Sequence, residues 1–502
     1  MKHRIIKMIL VVVVICLGGQ VPAQTITKTK MKVLFVGYDP SKPLPEFKRS
    51  YPGMMSKELF TKEYPVRMPA FKALLSQYFT EVATIDCRDW KPSDSDPYDV
   101  TIFDFKTKEL EPVKQETDSN GNITKYVSAR YLPDNFSKPV VFISSTANEM
   151  GDRIGLKLDW LCLCLDADAH HINLQHPIFK GPINKVSPTL VMKKTPDGIF
   201  HYPSGDTVSK ELPMWRVDKT GYLDSECRIG LVSRGSRFTE GPDAEVISSG
   251  VCQKDVTAIA LGRHGNFFLW GFGSSPADMT DEAKQVFVNV VAYMKQFNGK
   301  LPITKKYNQT MATTDHVRDV PKQLTRKTYD DYVAQIKEFN AYNAKTKKEL
   351  DEKKAAGKTL TSSEEQSLMY VGREEAIQTW EDFTKQIMGK YAATFGNDVA
   401  GFQKYISDNI DYVYCNPEGY DYSIDSSVQK IGVSNHNIKL LDTCVKMMED
   451  NNNSDLALSV LKKYTAENFT TAKEWKKWIA KNRSKLYFSE TNGYRFMINT
   501  YN

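Results

Sequence analysis

The sequence predicts an α/β protein: a mostly parallel sheet with crossover helices in the first three hundred residues, followed by an α-helical repeat module with short strands. Three observations carry this. Short apolar runs alternate with helically spaced apolar residues between 31 and 145, the pattern of crossover units in a parallel sheet. A long polar, charged stretch then reads as helices from 328 onward. Finally, Lys390-Tyr391 recurs as Lys463-Tyr464, and FQKYISDNIDYVY (402–414) recurs as WKKWIAKNRSKLY (475–487), both at an offset of 73 residues.

MKVLFVG (31–37) is an apolar run ending in Gly and reads as a first, fully buried strand. Met68, Phe71, Leu74, Leu75 and Tyr78 fall at helical spacing; TEVATID (80–86), YDVTIFDF (98–105) and PVVFISS (139–145) read as further strands. Short alternating runs punctuated by Gly and Pro, from about 185 to 252, suggest an antiparallel extension. DVTAIALGRHGNFFLWGFGSSP (255–276) is two strands around a turn at Gly265. A helix follows from about Thr280, with Asp281 and Glu282 in its first turn and Val286, Phe287, Val290, Val291 and Met294 on one face.

Residues 298–325 read as a polar linker. The helical hairpin of 326–389 has helices at 328–356 and 363–389, with Gly357 ending the first and Ser362 with Glu365 resembling a capping box. In the repeat module, 390–502, the match resumes after one inserted residue as GYDYSID (419–425) against GYRFMIN (493–499). Phe402, Tyr405, Ile406 and Asn409 thus correspond to Trp475, Trp478, Ile479 and Asn482, one helix face in each copy. Each copy reads as helix, loop, helix and short strand, the two stacking on their apolar faces.

The start of the chain points to export. MKHRIIK is basic, MILVVVVICLGG is apolar for signal-peptide length, and Val21-Pro22-Ala23 is a cleavage boundary, so residues 1–23 read as a signal peptide and the protein as secreted or periplasmic, without a stable membrane anchor. A formal charge of +6 spread among many acidic residues excludes a nucleic-acid arm. The cysteines show no CxxC, and Cys162 and Cys164, alternating in an apolar run, read as buried thiols.

Ligands bind outside the carboxyl ends of the strands in an open α/β sheet. That rule selects Asp39 and Ser274 as ligand-binding residues and Asp104 and Ser145 as catalytic candidates, with Tyr38, Ser144, Thr146 and Ser275 beside them. ISSTANEMG (143–151) lacks the flanking glycines of a nucleophile elbow and has no Cys, so an ordinary hydrolase or amidotransferase triad is not supported. Asp166, Asp168, His170, His171 and His176 form the densest cluster of metal-ligand types, but at no recognised spacing, and adjacent histidines on a strand point to opposite faces. No metal and no cofactor is expected; GxGxxG and the P-loop are both absent.

The first strand, HPIFKGP (176–182) and especially GRHGNFFLWGFGSSPADMTDEAKQVFVNVVAYM (262–294) resemble the trehalose-utilisation (ThuA-like) branch of the class I glutamine amidotransferase-like superfamily, over residues 31–297. The resemblance implies a flavodoxin-like three-layer fold, commonly without the amidotransferase Cys-His pair, and a link with sugar metabolism. Two departures stand out: Gly273 is followed by Ser274 where the family has His, and Ser144 and Ser145 stand where a His is common. The expected function is binding of a small polar ligand, plausibly a sugar, with the helical module available for protein contact. The alternatives are an extracellular hydrolase of glycans or peptides and a structural envelope protein.

Overall fold

The structure, a computed structural model, describes residues 27–47, 57–119, 121, 123–158, 160–201, 207–221, 228–306, 312–415 and 421–501. The expected signal peptide lies outside these. Strand β1 (Thr29–Gly37) is buried from Val33 onward. Its Met31, Val33 and Phe35 enter one apolar cluster and Leu34 and Val36 another, because successive side chains point to opposite faces and both faces are covered. Hence the strand reads as an unbroken apolar run. Helix α1 (Lys57–Tyr78) buries Met68, Phe71, Leu74 and Leu75 and leads to β2 (Phe79–Asp86); β2 and β3 (Val100–Phe103) both run parallel to β1. After a surface hairpin of β4 (Lys114–Thr117) and β5 (Ile123–Val127), β6 (Val140–Ile143) pairs parallel with β3, and α2 (Thr146–Gly151) begins almost at once.

The sheet then changes character. β7 (Trp160–Leu165), β8 (Asp168–His170), the short α3 (Pro177–Lys180), β9 (Leu190–Lys194), β10 (Glu211–Arg216), β11 (Gly230–Ser233) and β12 (Ala244–Gly250) bring antiparallel pairings. β13 (Ile259–His264) and β14 (Phe267–Trp270) form the expected hairpin; Gly265 takes φ 59°, which glycine adopts without steric cost. The order is β2-β1-β3-β6-β14-β13-β12-β8-β10-β9, with β11 pairing to β13 and β7. The sheet is therefore mixed. The expectation of a mostly parallel sheet describes the block β2-β1-β3-β6-β14, and the antiparallel part begins earlier than expected, at β7. Helix α4 (Asp281–Met294) starts where its cap predicts: the Thr280 hydroxyl accepts from the Ala283 N–H, and Val286, Phe287, Val290, Val291 and Met294 are buried.

The described parts of the expected linker, 298–306 and 312–325, make contacts with both flanking parts of the chain. The Asp243 carboxylate accepts the N–H groups of Ile303 and Thr304 at 2.6 and 3.0 Å, and α5 (Thr314–Asp319) contributes Val317 to a cluster with Phe402 and Ile406. α6 (Arg326–Ala355) follows and ends before Gly357 (φ 70°). The expected helix 363–389 is two, α7 (Ser362–Tyr370) and α8 (Trp380–Met388), separated at Gly372, whose φ of 112° no helix accommodates. The capping box is Thr361 with Glu364, one residue earlier than expected.

Beyond α9 (Ala392–Phe395) the two repeat copies share an element order. The first is α10 (Val399–Asn409), one 3-10 turn, and a hairpin of β15 (Val413–Cys415) and β16 (Tyr422–Ile424). After α11 (Ser426–Ile431), α12 (Lys439–Glu449) and α13 (Ser454–Lys463) comes the second: α14 (Ala472–Asn482), one 3-10 turn, and a hairpin of β17 (Leu486–Ser489) and β18 (Arg495–Ile498). Val413 pairs with Ile424 and Leu486 with Ile498, so the inserted residue falls in the second hairpin's turn region. Asn409 and Asn482 each donate to the carbonyl four residues back. Two details correct the sequence reading. The short strand expected in each copy is one arm of a hairpin, β16 with β15 and β18 with β17, and the apolar faces do not stack on each other: Phe402 packs with the 312–324 segment, Trp475 with α12 and α13. Gly419 and Tyr420 lie outside the described residues.

Candidate functional site

Asp104 follows β3 directly and is 1% exposed. Arg67, reaching over from α1, donates through Nε to Oδ2 at 2.9 Å and through Nη2 to Oδ1 at 2.7 Å. On the other side Arg228 donates through Nη1 to Oδ1 at 2.7 Å, and its guanidinium lies 4.6 Å from the centre of the Phe105 ring. Glu63, one helical turn before Arg67, takes a further Arg67 N–H at 3.0 Å, so two buried cations face two buried carboxylates. Burial alone would raise the Asp104 pKa, but the two guanidiniums outweigh it and hold the carboxyl below its ordinary value. A carboxylate so stabilised is a poor proton acceptor at neutral pH. Its geometry suits positioning of the arginines better than the catalytic role assigned to it from sequence.

Between β6 and α2 the backbone turns sharply at Ser144, a non-glycine with φ 53°. Its Oγ donates to the Ile229 carbonyl at 3.0 Å, while the Thr146 hydroxyl donates to the Asp104 carbonyl at 3.1 Å. Ser145, the catalytic candidate, is buried with its Oγ 3.5 Å from Arg228 Nη2, and no imidazole is hydrogen-bonded to it among the described residues. The strained position is thus Ser144, next to the one chosen from sequence.

Ser274 and Ser275 follow β14, and Gly273 before them lets that segment pass Arg228: a Cβ there would stand 2.5 Å from the Arg228 carbonyl oxygen. Ser274 turns its hydroxyl and N–H toward Asp218 without closing a bond of good geometry. Burial raises the Asp218 carboxyl to about 7, against the opposing pull of Ser274 and of the Arg67 charge. Arg228 Nε, Asp218 Oδ1, Ser274 Oγ and Ser275 Oγ are all buried and find no hydrogen-bond partner among the described residues.

Asp104, Ser145 and Ser274 are therefore linked through Arg67, Arg228 and Asp218. Asp39 is not. Its carboxylate accepts from the N–H and Oγ of Ser41 and its own N–H donates to Asp86; it adjoins the cluster through its carbonyl, which accepts from the Tyr64 hydroxyl at 3.1 Å, and through Tyr38, whose ring lies 4.7 Å from Phe105. Sequence reasoning missed the two arginines and Asp218. A signal for one existed: Glu63 and Arg67 occupy the buried stripe of α1 with Phe71 and Leu74, so a charged pair falls on an apolar face.

The ligand-type cluster of 166–176 disperses. Asp168 is taken by Lys193 at 2.6 Å and Arg216 at 3.3 Å; His176 caps α3 and lies 3.6 Å from Glu245. No group of three or more His, Cys, Asp or Glu gathers to hold a metal among the described residues. His170 and His171, expected on opposite faces, instead meet with their Nδ1 atoms 2.7 Å apart, because His171 leaves the strand with φ 48°. Cys162 and Cys164, expected as thiols, are joined in a disulfide; at i and i+2 they share one face of β7.

Fold and site together define an α/β protein with a buried, charge-balanced polar cluster at the carboxyl edge of a parallel strand block. No protein-family model matches the chain, and no curated protein matches it. Among the described residues no helix is long and apolar enough to cross a membrane.

Proposed function

We propose that this is an exported protein whose amidotransferase-like α/β domain binds a small polyhydroxylated ligand of the sugar class, without amidotransferase chemistry, and whose carboxy-terminal helical repeat module serves protein contact. The carrying observation is the set of polar atoms on Arg228, Asp218, Ser274 and Ser275 that find no partner among the described residues. Buried donors and acceptors left unpaired cost about 1–3 kcal/mol each, and a hydroxylated molecule offers both kinds of partner. The strand order β2-β1-β3-β6-β14 supports a flavodoxin-like reading, in which ligands sit where the order reverses, between β1 and β3. Asp104 stands at that point.

The test is a thermal-shift screen of the mature protein with mono- and disaccharides and inorganic anions, repeated with Ser274→Ala and Ser275→Ala. A ligand specific to the folded state raises Tm by mass action. A sugar-dependent rise lost in the serine variants is the expected result. No rise with any sugar, or a rise indifferent to both variants, overturns the reading. One observation favours a second reading, a hydrolase: burial raises the Asp218 carboxyl to about 7, the range that suits a general acid or base at neutral pH. In that case Asp218→Asn abolishes turnover while sugar binding persists.

A further inference from the structure

We propose that His170 and His171, with the thioether of Met214 behind them, form a binding site for one cuprous ion. The site lies in the antiparallel half of the sheet, apart from the polar cluster at the edge of the parallel block.

The argument begins with the backbone. On a regular strand the two imidazoles would diverge. His171 instead takes φ 48°, a left-handed conformation that costs a non-glycine residue roughly 1 kcal/mol or more. The result is convergence: the rings meet at 75° with centroids 4.9 Å apart, and the two Nδ1 atoms point at each other across 2.7 Å. Two nitrogens in that arrangement need a proton between them, or a cation in its place. With bonds of about 2.0 Å to each nitrogen, a two-coordinate ion requires the pair to open to about 4 Å. His171 is exposed and free to make that adjustment by rotating its side chain, while His170 is wholly buried and stays fixed.

The surroundings select the ion. Met214 of β10 pairs directly with His170 of β8, so its side chain lies on the same face of the sheet, Cβ to Cβ about 5 Å away, and it is 2% exposed. Leu212, Ile199 and Val256 complete an apolar wall around Met214. Asp168, two residues before His170 on β8 and so on the same face, is already bound by Lys193 and Arg216. Hard divalent ions favour charged oxygen ligands, and Asp168 is already engaged, whereas imidazole and thioether in an apolar setting suit a soft monovalent ion. His171 also lines a hollow of about 240 Å³ with Ile172, Leu190, Leu212 and Pro213, which gives an approach from solvent.

The experiment titrates the full mature chain, without oxygen, with Cu(I) supplied as its bicinchoninate complex, and in parallel with Zn(II). Expected are one Cu(I) retained per chain against the chelator, much weaker Zn(II) binding, and an X-ray absorption spectrum with both nitrogen and sulfur scatterers. His171→Gly tolerates the positive φ and should leave the circular dichroism unchanged while weakening Cu(I) binding at least about tenfold. Met214→Leu keeps the core volume and should weaken it by about tenfold. Failure to hold Cu(I) against bicinchoninate, Zn(II) bound as tightly as Cu(I), or equal retention by His171→Gly overturns the site. Undiminished binding in Met214→Leu overturns the part given to the thioether.

Discussion

Arg228 Nη1 donates both to the Asp104 carboxylate, at 2.7 Å, and to the carbonyl oxygen of the same residue, at 2.8 Å. One guanidinium thus fixes a side chain and the backbone that carries it, just where β3 ends. Because Arg67 grips the same carboxylate from α1, Asp104→Asn leaves two buried cations facing a neutral amide. Breaking a buried pair from one side costs about 3–5 kcal/mol, and that loss is the expectation in urea unfolding. Adding Arg228→Met to Asp104→Asn should recover part of it. A single-variant loss below about 1 kcal/mol would show that Glu63 alone balances the arginines.

Asp218 gives a pH dependence of definite sign. Its carboxyl is raised by burial to about 7 in the folded protein, from an ordinary value of 3.8. The folded state then holds a proton that the unfolded state has released, so the contribution to stability is fully present below about pH 4 and is lost as pH rises through 7. The span corresponds to about 4 kcal/mol at most. Asp218→Asn removes this titration. Measured at pH 4, 5.5 and 7.5, its stability relative to the unsubstituted protein should improve steadily with pH; a constant difference would refute the assignment.

What could be read from sequence follows from physical range. Gly265 and the Thr280 cap act on their immediate neighbours, and both ended up where local rules put them. The parallel strands announced themselves because burial on both faces forces an apolar run. Arg228 gave no such sign: it stands at the start of one of the short alternating runs of the antiparallel extension, where nothing local marks a charge as buried, and its partner Asp104 is 124 residues away. His171 escaped for a different reason, since the side-chain alternation that sends adjacent histidines apart assumes extended backbone, and its φ is positive. The split of α7 from α8 turns likewise on one glycine in a charged stretch that reads equally well as unbroken helix.

The α/β part and the second repeat copy are fastened at Glu240. Its carboxylate accepts from Ser489 Oγ at 2.7 Å, Glu490 N–H at 2.8 Å, Thr491 N–H at 3.1 Å and the Thr491 hydroxyl. Glu240→Ala leaves the β17 end without these acceptors, each orphaned donor costing about 1–3 kcal/mol where it stays buried. Faster hydrogen exchange at 489–491, with the β1 and β3 amides unchanged, is the expected outcome. Equal acceleration throughout would mean that the two parts unfold as one.

The repeat copies offer a test of independence. Phe402 and Trp475 are corresponding residues and both fully buried, yet they belong to different apolar clusters, one completed by Val317 and Leu324, the other by Leu441, Val460 and Leu461. Truncating either to Ala removes a large aromatic from a packed core and should cost about 3–5 kcal/mol. Substitutions that share no partner add to within about 0.5 kcal/mol, whereas residues in one packed interface couple by more. The double variant should therefore lose the sum of the single losses. Tyr414 and Phe488 touch both clusters and are the route by which coupling could arise. If the double variant departs from additivity by more than about 1 kcal/mol, the two clusters are coupled through Tyr414 and Phe488 and behave as one core, although the two aromatic stripes do not touch.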